Sequence, residues 1–152
     1  IAALTHAALA LDEPEWLDAA GRAFAEALLS AAGNTVWIDD EALMDAVTAV
    51  SGSGPAYVFL FIEALQQAAT ELGFSDKQAR RLSIETVLGA AKLAAQSDEP
   101  ASTLRERVTS KGGTTEAALR VMAEHKVKEG IMAGALAANE RSAQLGELLG
   151  QD

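Results

Sequence analysis

The stretch PAYVFLFIEALQQAATEL, residues 55–72, decides the fold. Tyr57, Leu60, Phe61, Ala64, Leu65, Ala68 and Leu72 recur at intervals of three and four, one apolar stripe along a helix. Pro55 suits the first turn, where its missing N–H has no partner to lose. Gly73 ends the segment. SDKQ, residues 75–78, then sets Ser75 as N-cap with Gln78 three positions on, a capping box that opens a second long helix over 76–96. The face expected to be buried there includes Leu82, Val87, Leu88 and Ala91.

Upstream, Ala2 to Leu11 can form a short helix, and Pro14 opens another carrying Leu17, Phe24, Leu28 and Leu29. Ala32-Gly33-Asn34 stops it, since Gly and Asn tolerate left-handed backbone. TVWID, 35–39, is the one strand candidate. Asp39 or Asp40 can cap the helix EALMDAVTAV, which SGSGP at 51–55 interrupts. Downstream, QSDEPAS is a polar turn, followed by a short helix through Leu104 and Val108. After a Gly-Gly break come helices from about Thr115 to His125 and about Lys128 to Leu149. No repeat or low-complexity segment is present. The reading is all-α, with at most one short strand (35–39).

Composition supports this. The 152 residues have the size of one domain able to bury a core, and 49% are apolar while only 5% are aromatic. Ala and Leu therefore build the interior, which favours close-packed helices. A net charge of −10 repels nucleic acid and anionic membrane surfaces. The absence of Cys removes disulfides, thiolate metal sites and cysteine catalysis, and fits a reducing compartment such as the cytoplasm. No apolar run approaches the roughly 18–20 residues needed to span a bilayer, and no signal peptide is recognisable. The chain lacks an initiating Met and opens already apolar, as if cut from something longer. Helices 55–72 and 76–96 are too apolar for lone surface helices. Gly89, Ala90, Ala91, Ala94 and Ala95 permit close backbone approach, so a symmetric dimer is the economical solution, with packing inside one bundle the alternative.

VTSKGGTTEAAL, 108–119, breaks a helical chain with two glycines and re-enters a helix at once. A helix start presents unpaired N–H groups and a partial positive charge, suited to a carboxylate or phosphate. The candidate donors are the N–H groups of Gly113, Thr114 and Thr115 with the hydroxyls of Ser110, Thr114 and Thr115. Lys111 adds long-range attraction. A plain turn before a helix reads from the same residues. SGSGP likewise reads as a kink, or as a place where a ligand or second chain comes close. His6 and His125 have no ligand partners at metal spacing, so no metal site is expected, and Trp16 and Trp37 are expected as core anchors.

Taken together, TAVSGSGPAYVF, VLGAAKLA, LRERVTSKGGTTEAAL and ANERSAQLGEL resemble, in order and spacing, the C-terminal domain of the pyrroline-5-carboxylate reductase family. The resemblance implies a helical bundle of the 6-phosphogluconate-dehydrogenase C-terminal-like type, an interleaved homodimer able to assemble further, and no nucleic-acid or membrane partner. It implies one domain over 1–152, with 1–39 connecting to an absent Rossmann domain and 40–152 the helical core. It implies proline biosynthesis: hydride transfer from NADPH or NADH to 1-pyrroline-5-carboxylate, giving L-proline. Ser110, Gly112, Gly113, Thr114 and Thr115 are implied to hold substrate, with Thr115 facing the ring nitrogen as the catalytic position. A Thr hydroxyl is too weak an acid to supply the proton outright, so Thr115 is expected to orient and relay. Lys111 stands where many relatives have Pro, and Asp98 where some carry Glu, although a solvated turn residue is the simpler reading of Asp98. With no GxGxxG after a strand, no cofactor site is expected in this chain and no turnover by it alone. The other reading is a non-catalytic helical dimerisation module whose glycines serve packing.

Overall fold

The computed structural model describes residues 8–9 and 19–149. In chain order these form β1 (Ala8–Leu9), α1 (Ala19–Ser30), β2 (Val36–Trp37), a 3₁₀ turn (Glu41–Leu43), α2 (Met44–Val47), a π turn (Thr48–Gly52), α3 (Gly54–Glu71), α4 (Asp76–Ala95), α5 (Ala101–Arg107), α6 (Thr114–Glu124) and α7 (Val127–Leu149). The chain divides into two compact units, one of residues through Ala56 with those from Met132 onward, the other Tyr57–Ile131.

In the first unit, the strand expected at 35–39 forms as β2. Strand N–H and C=O groups need partners, and β2 finds them in β1, running parallel with Ala8 opposite Val36 and Leu9 opposite Trp37. Ala8 and Leu9 are therefore extended, which corrects the short helix expected over Ala2–Leu11. The rest of that segment, with His6, Pro14, Trp16 and Leu17, lies outside the described residues. The guanidinium of Arg22 on α1 sits 5.2 Å from the Trp37 ring centroid and pairs with Asp39 at 3.2 Å. Trp37 is thus half-buried beneath a cation rather than a core anchor. Of the two aspartates able to cap the next turn, Asp40 does so, accepting the Ala42 N–H at 2.9 Å.

SGSGP marks the junction where one helix ends and the next opens, as expected: α3 begins at Gly54 with Pro55 in its first turn, although the chain does not leave a helical path there. The helical path runs on from Glu41 to Glu71. The π turn takes up the irregularity, with Ser53 N–H donating to the Thr48 carbonyl at 2.8 Å, five residues back. Pro55 lacks an N–H, so the ladder here must lose one bond whatever its register, and a locally wider turn absorbs that loss. An 18-residue window of this path has mean hydropathy 1.2 and is only 6% buried. By length and composition it is apolar enough to cross a membrane, which corrects the expectation that no such run exists; Gly and Ser dilute the run without bringing charges into it.

In the second unit, α3 ends as Gly73 at φ 100° lets its N–H donate to the Thr70 carbonyl and the Phe74 N–H to that of Ala69, a Schellman closure. The capping box at α4 is formed, with the Ser75 N–H and hydroxyl both reaching Gln78 Oε1, at 3.1 and 2.6 Å. Ala79 and Ser83 are the buried residues of α4. The face expected inward is not buried within this chain: Leu82 is 48% and Leu88 44% exposed, as are Phe59 and Leu60 of α3 at 66% and 67%. The periodicity identified these stripes as apolar without showing what covers them, and among the described residues Ala49 and Ala79 are the only fully buried apolar ones.

Candidate functional site

The site is built on the connection between α5 and α6. Pro100 accepts the N–H groups of Thr103 and Leu104 and starts α5, while Glu99 holds Arg107 in an ion pair across that helix. The acidic residue of this turn with a cation on it is therefore Glu99, and Asp98 is solvent-exposed. At the far end, Thr109 closes α5 by donating its hydroxyl to the Arg105 carbonyl at 2.6 Å.

The chain then reverses over Ser110-Lys111-Gly112-Gly113. The Gly113 N–H donates to the Ser110 carbonyl at 3.0 Å, and Gly112 sits in the third position at φ 72°. Positive φ there, and not at Lys111, is the signature of a type II turn. Pro is favoured at the position Lys111 occupies, because its fixed φ suits the second residue of such a turn. Gly113 is glycine for another reason. Its backbone is extended, but a Cβ would stand 2.5 Å from the Ser110 hydroxyl oxygen and 3.0 Å from its carbonyl oxygen. The Ser110 side chain therefore lies directly over Gly113.

Gly113 is also the N-cap of α6, its carbonyl receiving the Ala117 N–H at 3.2 Å. Thr114, Thr115 and Glu116 are the first three helical residues, whose N–H groups have no acceptor a turn earlier within the helix. Thr115 is half-buried, while Ser110 and Thr114 are exposed. Gly112, Gly113, Glu116, Ala117 and Arg120 line an open concavity of about 460 Å³. Of the candidate set, then, the two glycines face that space, whereas Ser110, Thr114 and Thr115 are gathered at the helix start without lining it.

Sequence reasoning missed Glu116. Its Oε2 accepts the Gly112 N–H at 2.7 Å, so a carboxylate of the chain already occupies one of the turn's donors. The signal was present in GTTE, an acidic residue at the third helical position after the cap, where such side chains reach back to the preceding backbone. Arg120, one turn further on, pairs with Glu124 at 2.7 Å.

At the second glycine motif, an added Cβ on Gly52 would make only an ordinary 3.7 Å contact with Thr48, and one on Gly54 would meet nothing within 4 Å. Among the described residues nothing requires Gly54 to be small.

Residues 41–145 match the family model described as pyrroline-5-carboxylate reductase dimerisation. The chain is 50% identical over 124 residues to a pyrroline-5-carboxylate reductase of Pseudomonas aeruginosa, covering 82% of this chain and 45% of that protein. It is 55% identical over 106 residues to one of Haemophilus influenzae, covering 68% and 39%. Among solved structures it is similar to a pyrroline-5-carboxylate reductase from Coxiella burnetii, with TM-score 0.82, 39% identity, and coverage of 87% and 49%. It is also similar to the pyrroline carboxylate reductase of Plasmodium falciparum with NADP bound, with TM-score 0.78, 31% identity, and coverage of 88% and 50%. The chain thus spans under half the length of these curated relatives.

Proposed function

Since the chain belongs to the pyrroline-5-carboxylate reductase dimerisation family, we propose that it is the dimer-forming, substrate-holding half of an enzyme that reduces 1-pyrroline-5-carboxylate to L-proline. The observation that carries this reading is the Gly112-Gly113 turn at the start of α6, inside the matched residues. The turn leaves particular donors open. Gly112 N–H is engaged by Glu116 and Gly113 N–H by the Ser110 carbonyl, so neither is offered outward. The donors for a substrate carboxylate are then the N–H groups of Thr114 and Thr115, with the Ser110 hydroxyl beside them. Gly112 and Gly113 contribute shape. Each charge-assisted hydrogen bond of this kind contributes about 1.5–3 kcal/mol, and the dipole of the eleven-residue α6 adds to it.

With the carboxylate held there, the Thr115 hydroxyl is the group we assign to the ring nitrogen of the substrate. Reduction of the imine carbon turns that nitrogen into an amine that must gain a proton. A threonine hydroxyl, too weak an acid to lose one outright, serves by orienting the nitrogen and passing a proton through. The sequence contains no GxGxxG, and among the described residues no glycine-rich turn leads from a strand into a helix, so they do not fit a dinucleotide site. The reduced nicotinamide nucleotide, NADPH or NADH, is accordingly assigned to a part of the enzyme other than these residues, and a cytoplasmic location goes with this reading. The exposed apolar faces of α3 and α4 are assigned to a second copy of the chain.

The test is a titration of the ¹⁵N-labelled chain with L-proline. Shifts concentrated at Ser110–Glu116 support the reading. A dimer whose spectrum shows no site-localised response would instead favour a packing module without a ligand.

A further inference from the structure

Resting on the carboxylate site proposed above, we propose that Glu116 is a positioning residue that latches the Lys111–Gly112 peptide in the orientation the site needs. A type II turn and its type I counterpart differ by rotation of the central peptide, and glycine in the third position tolerates both. In the orientation present here, the Gly112 N–H is directed to Glu116 Oε2 at 2.7 Å. The Lys111 carbonyl, on the opposite edge of the same peptide, is thereby turned away from the start of α6. Rotation of that peptide would exchange the two groups. A carbonyl oxygen would then stand where the Gly112 N–H now meets Glu116, in the first turn of α6, and its negative end would repel a carboxylate approaching that helix start.

Nothing else described holds this peptide. Gly112 is exposed, with nothing within 4 Å of where its Cβ would stand, so packing does not fix it. The Gly113 N–H to Ser110 bond closes both turn types alike and does not discriminate between them. Glu116 does discriminate, because its carboxylate can accept only from the N–H edge. It is well placed to do so: it stands in the first turn of α6 and lines the concavity with both glycines. Its action is through the turn and not on the substrate.

The experiment compares the wild-type chain with Glu116→Gln and Glu116→Ala by amide NMR, with L-proline as the probe. The Lys111 Hα to Gly112 N–H nuclear Overhauser effect, strong in type II and weak in type I, reports the turn itself. Glu116→Gln keeps an acceptor oxygen and is expected to retain both the strong effect and the wild-type Kd. Glu116→Ala is expected to weaken the effect and to raise the L-proline Kd about three- to tenfold, the value of one lost hydrogen bond. An unchanged Overhauser effect and Kd in Glu116→Ala would overturn the latch. Equal losses in both variants would overturn it too, by showing that charge, not the acceptor, is what matters. If wild type itself gives no response at Thr114 and Thr115, the proposed carboxylate site fails. The Overhauser comparison still decides the latch in that case.

Discussion

Ser142 on α7 donates a 2.6 Å hydrogen bond to Asp45 on α2, ninety-seven residues earlier in the chain. Both are half-buried within the same unit, and the bond ties the far end of the chain to the entry of the long helical path. A hydroxyl bonded to a carboxylate away from bulk water contributes about 1.5–3 kcal/mol, and losing one partner strands the other. Ser142→Ala is therefore expected to lower stability by roughly 1–2 kcal/mol, read as a lower urea midpoint at unchanged m-value. In a double-mutant cycle with Asp45→Asn, a coupling energy near zero would show that the pair does not cooperate.

The two adjacent glycines should fail differently. Gly112→Ala meets open space but must hold a positive φ of 72°, so it should cost about 1–2 kcal/mol of turn stability while leaving residual ligand response. Gly113→Ala meets no conformational obstacle, yet its methyl group collides with the Ser110 hydroxyl and carbonyl. Ser110 must then move off the helix start, and the response to L-proline should be abolished while thermal stability changes less. Equal effects of the two substitutions on binding would contradict this division.

Lys111→Pro should stabilise. The position is the second of a type II turn, where Pro's fixed φ is preferred, and the substitution restricts the unfolded chain. The expected gain is about 0.4–1 kcal/mol, measured as a higher midpoint of thermal unfolding. A loss instead would mean that the Lys111 N–H or its backbone angle is needed as it stands.

Local order was legible in the sequence and burial was not. Ser75 with Gln78, Gly73 and the apolar stripe from Tyr57 to Leu72 each depend on neighbours within a few residues, and each formed where expected. What Leu60, Leu82 and Leu88 pack against depends on groups far away or on another chain, which spacing does not encode. The π turn was missed because Gly and Pro signal disruption without saying whether a ladder breaks or widens. At the site, SKGGTTE gave the turn and the helix start. It did not show that Glu116 and the Ser110 carbonyl take the two glycine N–H groups, since that requires knowing which way one peptide faces.

Ser83 is 1% exposed, and its hydroxyl oxygen has no hydrogen-bond partner among the described residues. A buried hydroxyl left unpaired costs about 1–3 kcal/mol. Ser83→Ala, which keeps the small volume beside Ala79, should be neutral or stabilising by up to about 1 kcal/mol. A clear loss of stability on denaturant unfolding would show that the hydroxyl gains a partner in the assembled protein.

The exposed apolar faces give the last prediction. Phe59 and Leu60 are about two-thirds exposed on a path whose apolar window is 6% buried. A surface of this kind is covered either by another protein face or by lipid. Two features favour protein. Residues 41–145 match a dimerisation family, and Gly52, Ser53, Gly54 and Pro55 put a π turn and a proline into the path, a shape suited to close packing by a neighbouring backbone. The chain should then sediment as a dimer in detergent-free buffer. Leu60→Arg removes about 2 kcal/mol of apolar burial from each copy, before any cost of burying charge. Because a two-fold interface counts the residue twice, the dimer Kd should rise by about a thousandfold. Sedimentation equilibrium at micromolar concentration would show monomer, with reduced helicity by circular dichroism because α3 loses its cover. If Leu60→Arg instead left the dimer intact and abolished partition of the chain into lipid vesicles, the face would belong to a membrane and the assignment of α3 to a second copy would be wrong.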